Sequence, residues 1–138
     1  MNNNYHVIDR FTDSEIYQRA TKLQKNINCK FVLLSNNYNI ILIFGDLFRH
    51  PYHADILEFY CNSQTINSGW KKKPDEYEIY DSTITILGGG WMDFNPISKN
   101  VTIFGQSTAY GKYNHDILFE LFQNSKNLNG FNFSIEKI

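Results

Sequence analysis

Apolar residues along this chain gather in short clusters, some spaced for strands and others for amphipathic helices. Tyr5 to Ile8 is a short apolar run and predicts an opening strand. Thr12 stands three residues ahead of Glu15, a capping-box pattern. Ile16, Ala20 and Leu23 follow at spacings of four and three, which predicts a helix over about 14–25, with Lys22 and Lys25 complementing its dipole. Phe31-Val32-Leu33-Leu34 and Ile40-Ile41-Leu42-Ile43-Phe44 read as buried strands, joined through Asn36-Asn37 as a hairpin. Pro51 suits a first helical turn, and Ile56, Leu57, Tyr60 and Gln64 recur at helical spacing, predicting a helix over about 52–66 that begins at His53.

Tyr77 to Leu87 then alternates, with Ile84 and Ile86 on one face. Gly88-Gly89-Gly90 is expected to interrupt this strand before Trp91 to Phe94 resumes it and Asn95-Pro96 turns the chain. Val101 to Phe104 predicts another strand. Asn114 to about Gln123 predicts a helix with Ile117, Leu118, Leu121 and Phe122 as its stripe, and Phe131 to Ile135 alternates as a last strand. Strands and helices mix without a regular βαβ repeat. The expected fold is therefore a single α+β domain, a mixed sheet flanked by two or three helices.

Composition narrows the function classes. The 138 residues have room for one core, and 42% apolar with 20% charged residues excludes a disordered chain. Phe and Tyr are abundant, so the core is expected to be aromatic. A formal charge of −1 gives no footprint for nucleic acid or an acidic membrane surface. Lys71-Lys72-Lys73, the one basic run, reads as a solvated loop. The N-terminus lacks an apolar signal core, and no run reaches the ~18 residues of a membrane span. A cytoplasmic monomer is expected. Cys29 and Cys61 have neither metal-ligand spacing nor disulfide-framework density, so each reads as a buried thiol, and neither metal nor cofactor is called for.

His53 is the first candidate for chemistry. An imidazole with an ordinary pKa near ~6.5 takes a proton from water at neutral pH, and a helix start disfavours its cationic form. It serves equally as a surface or capping residue. In GQSTAYG, from Gly105 to Gly111, small residues let the amides of Ser107, Thr108 and Ala109 approach an anion, with a hydroxyl as a further donor. An ordinary strand-to-helix loop has the same composition. The Gly88–Gly90 run lacks the Lys-Ser/Thr of a nucleotide loop and reads as a bulge or close backbone contact. Lys30 is either a phosphate counter-charge or a snorkelling strand-end lysine. His115 is either a second proton-transfer group or a first-turn residue, and Asp55 a first-turn carboxylate.

Lys30 before Phe31-Val32-Leu33, Tyr52-His53-Ala54-Asp55-Ile56, Leu87-Gly88-Gly89-Gly90 and the G-x-S-x-AYG of 105–111 with His115 after it, in this order, resemble the Janus/phosphohistidine phosphatase family. The resemblance runs from about residue 30 to the C-terminus. It implies a small α+β domain that hydrolyses phosphohistidine, and sometimes phospholysine, in proteins or peptides without a metal. By the same resemblance His53 is the general base and Lys30 a phosphate contact. Ser107, Thr108 and Ala109 form the phosphate loop, and Tyr52 and His115 line the site. Two positions depart from the family pattern. Trp91 stands where an arginine usually follows LGGG, and Phe44-Gly45 ends the strand where the family carries another. Trp91 is placed to stack on a substrate ring, and Arg49 is near enough in sequence to replace a lost guanidinium. A non-catalytic module binding a phosphorylated ligand in the same pocket is the alternative.

Overall fold

The computed structural model describes residues 4–11, 15–23, 26–95, 97–124 and 131–136. In chain order the elements are β1 (Asn4–Arg10), α1 (Glu15–Leu23), β2 (Ile27–Asn36), β3 (Asn39–Asp46), α2 (His53–Gln64), β4 (Ser68–Lys72), β5 (Glu76–Ile79), β6 (Ile84–Asn95), β7 (Asn100–Phe104), α3 (His115–Asn124) and β8 (Asn132–Ile135). Six strands form one sheet in the order β1-β3-β2-β6-β7-β8, and β4-β5 is a separate hairpin. The outer pairs β1–β3 and β7–β8 are parallel and the inner ones antiparallel, so the sheet is mixed and the class is α+β.

Alternation along the central strands divides the core in two, because successive side chains leave a strand on opposite faces. Phe31, Leu33, Leu42, Phe44, Met92 and Phe94 project to the face carrying α3, where Phe11, Leu118, Leu121 and Phe122 meet them. This half is rich in aromatic contacts, among them Phe11–Phe94 and Phe122–Phe133. Val32, Leu34, Ile41 and Ile43 project to the other face, against Ile56, Leu57, Tyr60 and Cys61 of α2 and Tyr77 of β5. Leu57 is fully buried there. A Leu→Ala change at such a site removes ~2–5 kcal/mol and would loosen the helix that begins at His53.

Several sequence expectations need correcting. The alternating run from Tyr77 to Leu87 is two strands, β5 and β6, belonging to different sheets. The three glycines do not break β6, which runs on through them to Asn95. Their effect is a register shift against β2 between Val32 and Leu34, with Gly88 at φ +107°. Lys71 and Lys72 lie in β4 rather than in a loop, and Lys71 faces Glu76 and Glu78 at 3.8 Å each. The Asn36-Asn37 turn is present, with Asn37 in the left-handed region at φ 56°. The proposed Thr12 cap, the end of the first helix beyond residue 23 and the side chains of Ile16, Ala20 and Leu23 lie outside the described residues.

Candidate functional site

The α2 face of the sheet holds a cavity of about 490 Å³ where the start of α2, the middle of β6 and the loop after β7 converge. Lys30, Tyr52, His53, Trp91, Ser107, Thr108 and Ala109 line it, together with Asp75, Glu76 and Gln106. Seven residues proposed from sequence thus meet at one place. They come from four separate segments, and the sheet supplies the meeting point.

His53 is the first residue of α2. Asp55 fixes that helix start by accepting the Tyr52 N–H at 3.0 Å, the first-turn role expected of it. The imidazole sets its Cδ2 edge against bare backbone: a Cβ on Gly89 would stand 3.0 Å from its Cδ2 and 3.2 Å from Ser107 Cβ. One ring nitrogen, Nε2, is 3.0 Å from the Gly90 carbonyl. A carbonyl only accepts, so Nε2 carries the proton, and in the neutral ring Nδ1 keeps its lone pair. With Nε2 and Cδ2 turned to the sheet, Nδ1 is on the side away from it and has no partner among the described residues. The ring is only 9% exposed. Burial lowers its pKa and the Lys30 charge lowers it further, while the bond to Gly90 acts in the opposite direction. Burial is the largest of these causes, and it disfavours the cationic form.

Lys30 stands opposite Trp91 in the β2–β6 register. Its ammonium lies 5.0 Å from the Trp91 ring and 5.3 Å from the Tyr52 ring, and donates to the Pro51 carbonyl at 2.6 Å. One of its three N–H donors is thereby used. Burial lowers the Lys30 pKa, and Asp55 pulls it back up. Lys30 is the one lysine or arginine that lines the cavity among the described residues. Trp91 in turn packs on Gly105, where an added Cβ would meet its Cδ1 at 3.0 Å.

The 105–111 loop closes on itself through Gly111 N–H donating to the Ser107 carbonyl at 2.8 Å. Ser107 departs from the expected role in one respect. Its own N–H is spent on the carbonyls of Gly89, at 3.1 Å, and Gly111, at 3.3 Å, so it contributes no backbone donor to a ligand. Its hydroxyl oxygen accepts the Tyr110 N–H at 3.1 Å, which leaves the hydroxyl hydrogen to be donated. The N–H groups of Thr108 and Ala109 have no acceptor among the described residues. Two amides and one hydroxyl of this loop are therefore left as donors, where three amides and a hydroxyl were expected.

Two further expectations are overturned. His115 does not line the cavity: it starts α3, stacks on Phe119 at 6.5 Å and lies 3.3 Å from the Asp116 carboxylate. Arg49 replaces neither missing guanidinium. Its Nε donates to buried Asp46 at 2.6 Å and its Nη2 to the Arg10 carbonyl, beside a different cavity. Both cysteines are buried, and burial raises both thiol pKa values, which makes each a poor nucleophile. Sequence reasoning missed Asp75, Glu76 and Tyr110. The Tyr110 hydroxyl accepts the Tyr77 N–H at 2.7 Å and donates to the Tyr77 carbonyl at 3.0 Å, pinning the β4–β5 hairpin to the loop.

Fold and site together define a small α+β domain in which a buried imidazole shares a cavity with the 105–111 loop. The chain belongs to the Janus/Ocnus family, whose profile matches residues 22–129 and so begins inside α1, earlier than the motifs alone suggested. No curated protein matches the sequence.

Proposed function

We propose that this chain is a metal-independent protein-phosphohistidine phosphatase in which His53 is the general base. The observation that carries the proposal is the Nε2–Gly90 contact, which leaves the Nδ1 lone pair facing a cavity that also holds hydrogen-bond donors for an anion. In the proposed reaction the phosphoryl oxygens take donors from Thr108 N–H, Ala109 N–H, the Ser107 hydroxyl and the Lys30 ammonium. A water held at His53 Nδ1 attacks phosphorus as the P–N bond breaks. The water proton passes to Nδ1, and the electron pair of the broken bond stays on the departing imidazole, which solvent protonates at its other nitrogen. Fixed donors matched to the phosphoryl charge suit the loose transition state of phosphoryl transfer.

A second reading has its own support. With Arg49 committed to Asp46, a single lysine provides the positive charge for a dianion. That favours a module that holds a phosphorylated ligand without turning it over. Turnover of a phosphohistidine peptide by wild type and His53→Ala, with and without chelator, separates the two. Turnover that is lost in the variant and insensitive to chelator is expected. Equal turnover by both proteins ends the base assignment, and saturable binding with no turnover selects the second reading.

A further inference from the structure

The cavity lining carries groups of both charge signs. Lys30, the Ser107 hydroxyl and the two unpaired amides are among its donors. Asp75, from the hairpin turn, and Glu76, the first residue of β5, line the same cavity. Two carboxylates in a phosphate-binding cavity raise the cost of admitting a dianion, because unscreened like charges at close range repel. The arrangement becomes favourable when the ligand brings a positive charge to them. Glu76 already has Lys71 at 3.8 Å, whereas the Asp75 carboxylate has no partner among the described residues. The hairpin is tied to the 105–111 loop, because Tyr110 belongs to that loop and bonds both backbone groups of Tyr77. The cavity also has a built interior: His53 is nine-tenths buried and presents an unpartnered ring nitrogen, and Ser107 is 1% exposed. At about 490 Å³ it has room for a second side chain beside a phosphorylated one.

We propose that Asp75 and Glu76 are specificity-determining residues, selecting substrates that carry a lysine or arginine next to the phosphorylated residue. This rests on the phosphohistidine reading above. Trp91, which lines the same cavity, adds a ring face for the aliphatic stem of such a residue.

The test uses three phosphohistidine peptides that differ only in the flanking residue, Arg, Ala or Glu. For wild type, kcat/KM for the Arg peptide should exceed that for the Glu peptide by about tenfold or more. In the double variant Asp75→Asn with Glu76→Gln the ratio should fall to within about twofold, and Tyr110→Phe should give an intermediate ratio. The ratio is internal to each protein, so a general loss of activity or stability cancels from it. An undiminished ratio in the double variant, or no preference in wild type, overturns the proposal. The same three sequences carrying a non-hydrolysable phosphonate, titrated by tryptophan fluorescence, give the ratio from binding alone. Failure of the phosphatase reading therefore shows as absent turnover with the binding preference intact, and failure of the acidic pair as absent preference in both measurements.

Discussion

His50 and His53 lie on either side of Pro51, both buried, each with its Cδ2 edge against a glycine of the sheet. A Cβ on Gly45 would come within 2.4 Å of His50 Cδ2, as one on Gly89 would come within 3.0 Å of His53 Cδ2. Burial lowers both pKa values. The difference is which nitrogen is engaged, and by what. His53 gives its Nε2 proton to a carbonyl and offers the Nδ1 lone pair to a cavity. His50 has Arg10 Nε 3.4 Å from its Nε2, and an arginine only donates, so its proton sits on Nδ1, which is buried without a partner. Burial and a depressed pKa are common to the two rings; the unpartnered lone pair of a cavity-lining ring sets the proposed base, His53, apart from His50.

The largest effect expected from this contrast is on catalysis. His53→Ala should lower turnover of a phosphohistidine peptide by about 10²–10⁴, the usual worth of a positioned base. His50→Leu should leave turnover within a few-fold. It should also change the unfolding free energy by no more than about 1 kcal/mol, since it removes an unsatisfied buried donor along with a weak contact to Arg10. Equal losses of turnover from the two variants would erase the distinction between the rings.

The glycines sharpen the same contrast. Gly89→Ala places a methyl 2.8 Å from the Phe31 carbonyl as well as against His53, so urea unfolding should show a loss of ~1–3 kcal/mol. Displacing the ring should lower turnover about a hundredfold in addition. Gly45→Ala should carry a similar stability cost with turnover largely retained. A catalytic loss as large in Gly45→Ala would mean that the two ring sites are mechanically one.

Titration gives a finer test. Followed by NMR, His53 should take up its proton below the ordinary imidazole value of ~6.5, and the acid limb of kcat/KM should lie at the same pH. Lys30→Met removes a cation that disfavours protonation, so both should move to higher pH. A shift downward would contradict the placement of Lys30 beside the ring.

The smallest effect concerns stability. Each histidine has a folded pKa below its unfolded one, so between the two values the unfolded state binds more protons. Stability should therefore be fully present above pH ~6.5 and decline as pH falls from there towards the folded values. Urea midpoints at pH 7.5 and 5.5 should differ less in His50→Leu and in His53→Gln than in wild type.

What the chain discloses in advance tracks the range of the interactions. The helix starting at His53, the bulge at the glycines and the hairpin at Asn36-Asn37 all rest on neighbours in sequence, and local spacing carried them. The place of Asp75 and Glu76 in the cavity goes with a Tyr110–Tyr77 contact that periodicity does not encode. The same limit explains Arg49, whose fate is set by Asp46 and by the Arg10 carbonyl on a different strand. His115 was drawn in by its position after the loop, but it opens a helix on the opposite layer, stacked on its neighbour Phe119. For Ser107, spacing located the residue, and only the folded register of Gly89 and Gly111 shows that its amide is already occupied.

The unadorned stretch of β6 has an evolutionary consequence. Positions 88, 89 and 90 each have backbone or an aromatic ring within 3.0 Å of where a side chain would begin. Sequence variation around the cavity is therefore diverted from this stretch to residue 91 and the tethered hairpin. Relatives that act on different targets should be most alike where they have no side chain at all.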